Sequence, residues 1–104
     1  MSWETLIVGT VKFKEGIEKA KIIEAKEELE SALEASIEYD EKYNEYKFQG
    51  VNWVSHVKGE EIKEVVEKHK NTLSYFSCSL YYLNEPHETV DFEEKSREVE
   101  AALI

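Results

Sequence analysis

Three side chains in this sequence are best suited to nucleophilic chemistry: one cysteine, and a serine and a histidine that are adjacent to each other. The one cysteine, Cys78, would need a nearby base to lower its thiol pKa before it could act as a nucleophile. It alternates in phase with Phe76 and Leu80, and this pattern predicts a buried structural thiol. Ser55 and His56 are adjacent, and neighbouring strand residues point to opposite faces, so they cannot pair with each other.

Metal and phosphate chemistry has no sequence support. The three histidines, His56, His69 and His87, lack the short spacings of a zinc site, and a second cysteine is missing. The carboxylates show no EF-hand spacing, and the four glycines are isolated rather than gathered in a phosphate-binding loop. We therefore expect no metal and no cofactor. A small enzyme that uses Cys78 with a spatially close histidine remains an alternative.

The net charge of the chain indicates which kinds of partner it can bind. Asp and Glu number 23 against 13 Lys and Arg, which gives a net charge of −10. Such a field repels phosphate backbones and anionic membranes, and it speeds the approach to basic surfaces. The N-terminus lacks signal-peptide features, and no apolar run reaches the roughly 20 residues that span a bilayer. The sequence thus predicts a cytoplasmic protein that binds neither membranes nor nucleic acid directly, and whose partner is basic.

Hydrophobic periodicity predicts one domain over residues 1–104, with strands and helices alternating along it. The order strand–helix–strand–strand–helix–strand is typical of an α+β fold, the ferredoxin-like split βαβ sandwich (β-α-β-β-α-β). A short extra C-terminal strand follows, and then a helix that begins at Asp91 and carries Val99, Ala102 and Leu103. The predicted strands cover residues 5–13, 36–40, 45–56, 74–83 and 89–92, and the two main helices cover 16–35 and 59–72.

Two glycines interrupt predicted strands. Gly9 indicates a bulge or a close approach by another backbone. Around Gly50 the apolar positions change from even numbers, such as Phe48, to odd numbers, such as Val51 and Trp53. A bulge at Gly50 would insert one residue and exchange the faces, which is the interpretation we favour; a strand buried on both faces is the alternative.

The segment at residues 47–56, with Lys47, Phe48, Gly50 and Trp53, can be compared with the third strand of RNA-recognition modules. The glycine does not follow the basic residue, and the first strand has no aromatic residue in "LIVGT". The comparison is topological only, and it predicts no RNA binding in a chain this acidic.

An open sheet face, strand aromatics and acidic segments together favour a protein-binding function. We predict a small, acidic, non-enzymatic inhibitor of antitoxin, immunity or phage anti-defence (anti-CRISPR) type that occludes a basic, nucleic-acid-handling protein. A dimeric ligand-binding regulatory domain is an alternative, because an uncovered aromatic sheet face also suits a homodimer. The predicted contact residues are Glu38, Asp40, Glu41, Tyr43 and Trp53, with a second patch of Asp91, Glu93 and Glu94.

Overall fold

The computed structural model describes residues 3–54 and 58–104, which form a six-stranded antiparallel sheet and two helices. The α+β class is confirmed, and the element order is compatible with a split βαβ sandwich. The predictions for Ser55 and His56 lie outside the described residues.

In chain order the elements are β1 (Trp3–Phe13), α1 (Lys19–Leu33), β2 (Ile37–Asp40), β3 (Glu45–Val54), α2 (Gly59–Lys68), β4 (Leu73–Tyr82), β5 (Glu85–Glu93) and β6 (Val99–Leu103). The strand order across the sheet is β2-β3-β1-β4-β5-β6.

The predicted C-terminal helix is wrong, because Val99–Leu103 forms the edge strand β6. Val99 is buried opposite Phe92 and Glu100 is exposed, so the segment alternates as a strand does. Asp91 lies within β5 and does not cap a helix. A segment of five residues is too short for its apolar spacing to separate the two periods, and pairing with β5 decides the outcome.

Both helices pack on one face of the sheet and bury the core there. Its largest fully buried side chains come from β1, β4 and the two helices, and they include Ile7, Leu29, Leu33, Ile62, Phe76 and Leu80. In an antiparallel sheet, directly opposed residues share a face, so the row Phe48–Gly9–Cys78–Val90 crosses four strands on this helix-covered side.

Gly9 permits close packing in that row. A Cβ atom at Gly9 would lie 2.0 Å from the carbonyl oxygen of Ser77 and 2.6 Å from the ring of Phe48. The register of β1 with both neighbours runs past Gly9 without a shift. Of the two predicted alternatives, the close approach is confirmed.

The bulge predicted at Gly50 is wrong, because β3 pairs with β1 in one continuous register from end to end. Gly50 lies on the helix-covered side, where an added Cβ would be 2.9 Å from the Cβ of Ala35 in the α1–β2 connection. Val51 and Trp53 therefore lie on the other side of the sheet. The apolar positions of β3 change from even to odd numbers at Gly50 because the uncovered face of the sheet is apolar at this end of the strand.

Candidate protein-binding surface

The sheet face opposite the helices carries an apolar patch. Leu6 lies at its centre, directly opposite Val51 on β3 and Tyr81 on β4, while Val8 follows two residues along β1. Trp53 is the diagonal neighbour of Leu6 on the same face. Val51 is 59% exposed and Trp53 is 68% exposed. We call this face the open face, and these five residues the apolar patch.

Carboxylates share the open face with the apolar patch. In the described strands they outnumber the lysines of the open face, which are Lys12 and Lys47. Glu4 is directly opposite Trp53, so a carboxylate borders this exposed aromatic side chain. The acidic residues of the open face are Glu4, Glu38, Asp40, Glu45, Asp91, Glu93 and Glu100.

Two of these carboxylates are held by neighbouring side chains. Lys47 Nζ lies 3.0 Å from Asp40 Oδ2, and this hydrogen bond lowers the pKa of Asp40 and raises the pKa of Lys47. The Ser77 hydroxyl donates to Asp91 Oδ1 at 2.8 Å. Both acids thus present oriented oxygens on the open face.

A groove of about 990 Å³ lies where β2 and β3 meet the open face. Val8 and Thr10 of β1 line it together with Glu38, Lys47 and Gln49 of the outer strands. The groove adjoins the apolar patch at Val8, so apolar and acidic features share one continuous surface.

The predicted contact residues fall at two ends of the molecule. Glu38 and Asp40 lie on β2, and Glu41 and Tyr43 lie in the turn that follows it. Trp53 is eight residues along β3 from the start of that strand, a separation of about 26 Å. Trp53 therefore does not join the other four residues in one patch.

The two acidic segments, by contrast, lie at the same end of the sheet. Phe76 is opposite both Val11 and Phe92, so the end of β5 lies at the same end of the sheet as the β2–β3 turn. Tyr43 and Glu94 line one cavity there. Asp91 and Glu93 lie on the open face of β5, which two strands, β1 and β4, separate from β3.

The thiol of Cys78 is buried, as predicted. Burial raises its pKa well above the usual range, and the carboxylates of Asp91 and Glu88 add to the effect. The thiolate form is therefore disfavoured at neutral pH.

His69 lies at the C-terminal end of α2. It is the C-cap residue of α2 and is buried, and its ring nitrogen contacts the Glu28 carboxylate of α1. Lys68 Nζ donates to the other oxygen of Glu28 at 2.6 Å. This cluster joins the two helices.

A buried polar cluster that the sequence did not predict lies at the start of α2. Glu88 accepts the backbone N–H of Lys58 at 3.1 Å and of Gly59 at 2.7 Å, and the Tyr82 hydroxyl donates to the same carboxylate. The signal was present, because Glu88 alternates in phase with Val90 and therefore occupies a core position of β5.

The chain matches no protein-family model, no curated protein sequence and no solved structure. Within the part of the chain that the structure describes, neither helix is long and apolar enough to cross a membrane.

Proposed function

We propose that this chain is a small, non-enzymatic inhibitor that binds a basic, nucleic-acid-handling protein, acting as an antitoxin, an immunity protein or a phage anti-defence protein. The observation that carries this proposal is the open face, where exposed Trp53 and Val51 lie beside Glu4 and share the face with the acidic residues of the outer strands. The proposal includes a ferredoxin-like arrangement of the first four strands, which the order β2-β3-β1-β4 supports, and a cytoplasmic location.

The apolar patch supplies the apolar part of the contact. Tryptophan and tyrosine are the residues most enriched at interface hot spots, where truncation costs about 2 kcal/mol or more. Trp53 and Tyr81 flank Leu6 on strands that are paired with their neighbours, so little backbone order has to be gained on binding.

The carboxylates supply the choice of partner. A cleft that binds nucleic acid is lined by Lys and Arg, and acidic side chains held on a rigid sheet can occupy it in place of phosphates. Asp40 and Asp91 are already oriented by Lys47 and Ser77. Binding would then block the nucleic acid sterically and electrostatically, with no chemical step.

The experiment is a capture of partners from host lysate with the tagged full chain, followed by purification of the partner and a nucleic-acid binding assay. We expect a basic nucleic-acid-binding protein whose affinity for nucleic acid falls when the chain is added. The variants Trp53→Ala and Val51→Ser should lose this effect, whereas Ile23→Ser, at an exposed position on α1, should keep it.

Two outcomes contradict the proposal. One is a captured partner whose nucleic-acid binding is unchanged by the chain. The other is inhibition that the Trp53→Ala and Val51→Ser variants retain in full.

A further inference from the structure

A second feature, apart from the apolar patch, is a cavity of about 720 Å³ at the end of the sheet that carries the β2–β3 turn. Four aromatic rings from different segments line it, together with Ile22 from the second turn of α1. The rings belong to Phe13, Tyr39, Tyr43 and Tyr46.

The rings hold one another in place. Tyr46 meets Phe13 edge-on with centroids 5.3 Å apart and meets Tyr39 edge-on at 5.1 Å. The Tyr39 hydroxyl donates to Asn44 Oδ1 in the turn. Because Phe13, Tyr39 and Tyr46 are fixed by these contacts, the wall of the cavity that they form is in place before any ligand arrives.

The charge of the cavity favours a cation. Its acidic lining residues are Glu15, Glu45 and Glu94, and its basic lining residues are Lys12 and Lys14. Lys14 Nζ lies 3.8 Å from Glu94 and Lys47 Nζ lies 3.8 Å from Glu45, so two of the three lining carboxylates already have a lysine beside them and the third is Glu15. The faces of aromatic rings carry negative potential, and the net charge of −10 adds to it.

The ring of Tyr43 already contacts two lysine ammonium groups of the same chain. The ammonium groups of Lys47 and Lys42 lie 4.5 Å and 5.2 Å from the centre of the Tyr43 ring. These distances are within the range of cation–π attraction, so Tyr43 is oriented for that interaction.

The geometry points to a binding site for an arginine side chain of the basic partner, and this inference rests on the function proposed above. A guanidinium group is planar, stacks on aromatic faces and pairs with carboxylates through two hydrogen bonds. A lysine ammonium is more strongly hydrated and offers no plane to stack. The cavity therefore prefers arginine over lysine, and it adds a specific anchor to the general attraction between opposite charges.

The test titrates the full chain with N-acetyl-arginine amide at low ionic strength, followed by NMR of the backbone amides. We expect shifts at the residues that line the cavity and weaker binding of N-acetyl-lysine amide. Tyr39→Leu and Tyr43→Leu should each weaken arginine binding by about threefold, the scale of an exposed cation–π contact. Tyr75→Leu, on the open face outside the cavity, is the matched control.

A gain-of-affinity variant separates this site from a purely structural role of the rings. Lys42→Gln removes a cation that competes for the Tyr43 ring, so arginine should bind about twofold tighter. The inference is overturned if arginine and lysine amides bind alike, or if the Tyr39→Leu and Tyr43→Leu variants, folded by their NMR dispersion, bind as the parent does.

The same variants distinguish the two proposals. If a basic partner is inhibited by the chain, and Tyr43→Leu and Tyr39→Leu leave that inhibition unchanged, the arginine site is wrong and the proposed function stands. If arginine amide binds the cavity but no nucleic-acid-binding protein is inhibited, the cavity stands and the proposed function is wrong.

Discussion

At the scale of single residues, Glu88 links two elements that are distant in sequence. Its carboxylate receives the first backbone N–H groups of α2, where the helix dipole favours a negative charge. Gly59 makes this approach feasible, because a Cβ atom there would lie 2.2 Å from Glu88 Oε2. A buried acid, a glycine and a tyrosine thus replace the usual side-chain N-cap, which α2 lacks.

We expect Glu88→Ala to lower the free energy of unfolding by about 3 kcal/mol, because it removes from a buried site the carboxylate that accepts two backbone N–H groups and the Tyr82 hydroxyl. Glu88→Gln keeps one acceptor oxygen and should cost about 1 kcal/mol. Urea denaturation followed by circular dichroism measures both. Glu85→Ala, at an exposed position of the same strand, is the control. Equal losses for Glu88→Ala and Glu85→Ala would contradict this role.

Glu28 makes the helix pair sensitive to acid. The hydrogen bond from Lys68, aided by His69, holds the pKa of Glu28 below its usual value of 4.5. A carboxylate with a lowered folded pKa contributes stability above its unfolded pKa, and that contribution is lost as the pH falls through the folded pKa. Its effect is thus complete at neutral pH and fades below about pH 4.5.

We therefore expect Glu28→Gln to destabilise the protein at pH 7 more than at pH 3.5, when urea midpoints are compared with the parent at each pH. Glu27→Gln removes an exposed carboxylate from the same turn of α1 and is the control. A loss of equal size at both pH values would show that Glu28 acts through packing rather than through its charge.

At the scale of elements, alternation predicted the strands that have one apolar face. β4 buries Phe76, Cys78 and Leu80 in strict alternation, so its position and its buried face could be predicted. β3 could not be predicted as well, because Phe48 is buried by the helices whereas Trp53 is exposed on the open face. A single sequence shows where apolar residues lie, but it does not show that a face remains uncovered.

The cavity and the cluster around Glu88 escaped prediction for a different reason. Phe13, Tyr39 and Tyr46 belong to three strands that become neighbours only through the order of the sheet. Likewise, Glu88 meets Gly59 across 29 positions of sequence. Sites assembled from distant segments need the strand order first, and strand order depends on long-range pairing that local patterns do not encode.

The packing of β1 against β4 gives a test at this scale. Gly9→Ala places a methyl group 2.0 Å from a backbone oxygen in the middle of β4, which cannot move without breaking the ladder. We expect a loss of about 3 kcal/mol in the free energy of unfolding. Gly16→Ala should cost only about 1 kcal/mol, because nothing lies within 4 Å of Gly16 and its cost is the positive φ of 77°. Equal effects in urea denaturation would contradict the close packing at Gly9.

At the scale of the whole molecule, apolar attraction and charge act together on the open face. The apolar patch favours burial against any surface, whereas the carboxylates of the open face favour a partner whose surface is basic. A basic partner gains from both terms. A second copy of this chain gains only the apolar term, because its own net charge is also −10.

Binding to a basic partner and dimerisation of the chain are therefore expected to respond to salt in opposite directions. Raising the ionic strength from about 0.05 M to about 0.5 M screens attraction to a basic partner and repulsion between copies alike. Capture of the partner should weaken, whereas light scattering at high protein concentration should change from monomer toward dimer, and Trp53→Ala should suppress the dimer. A dimer that is already stable at the lower ionic strength, with no basic partner captured there, would favour the dimeric ligand-binding domain over the inhibitor.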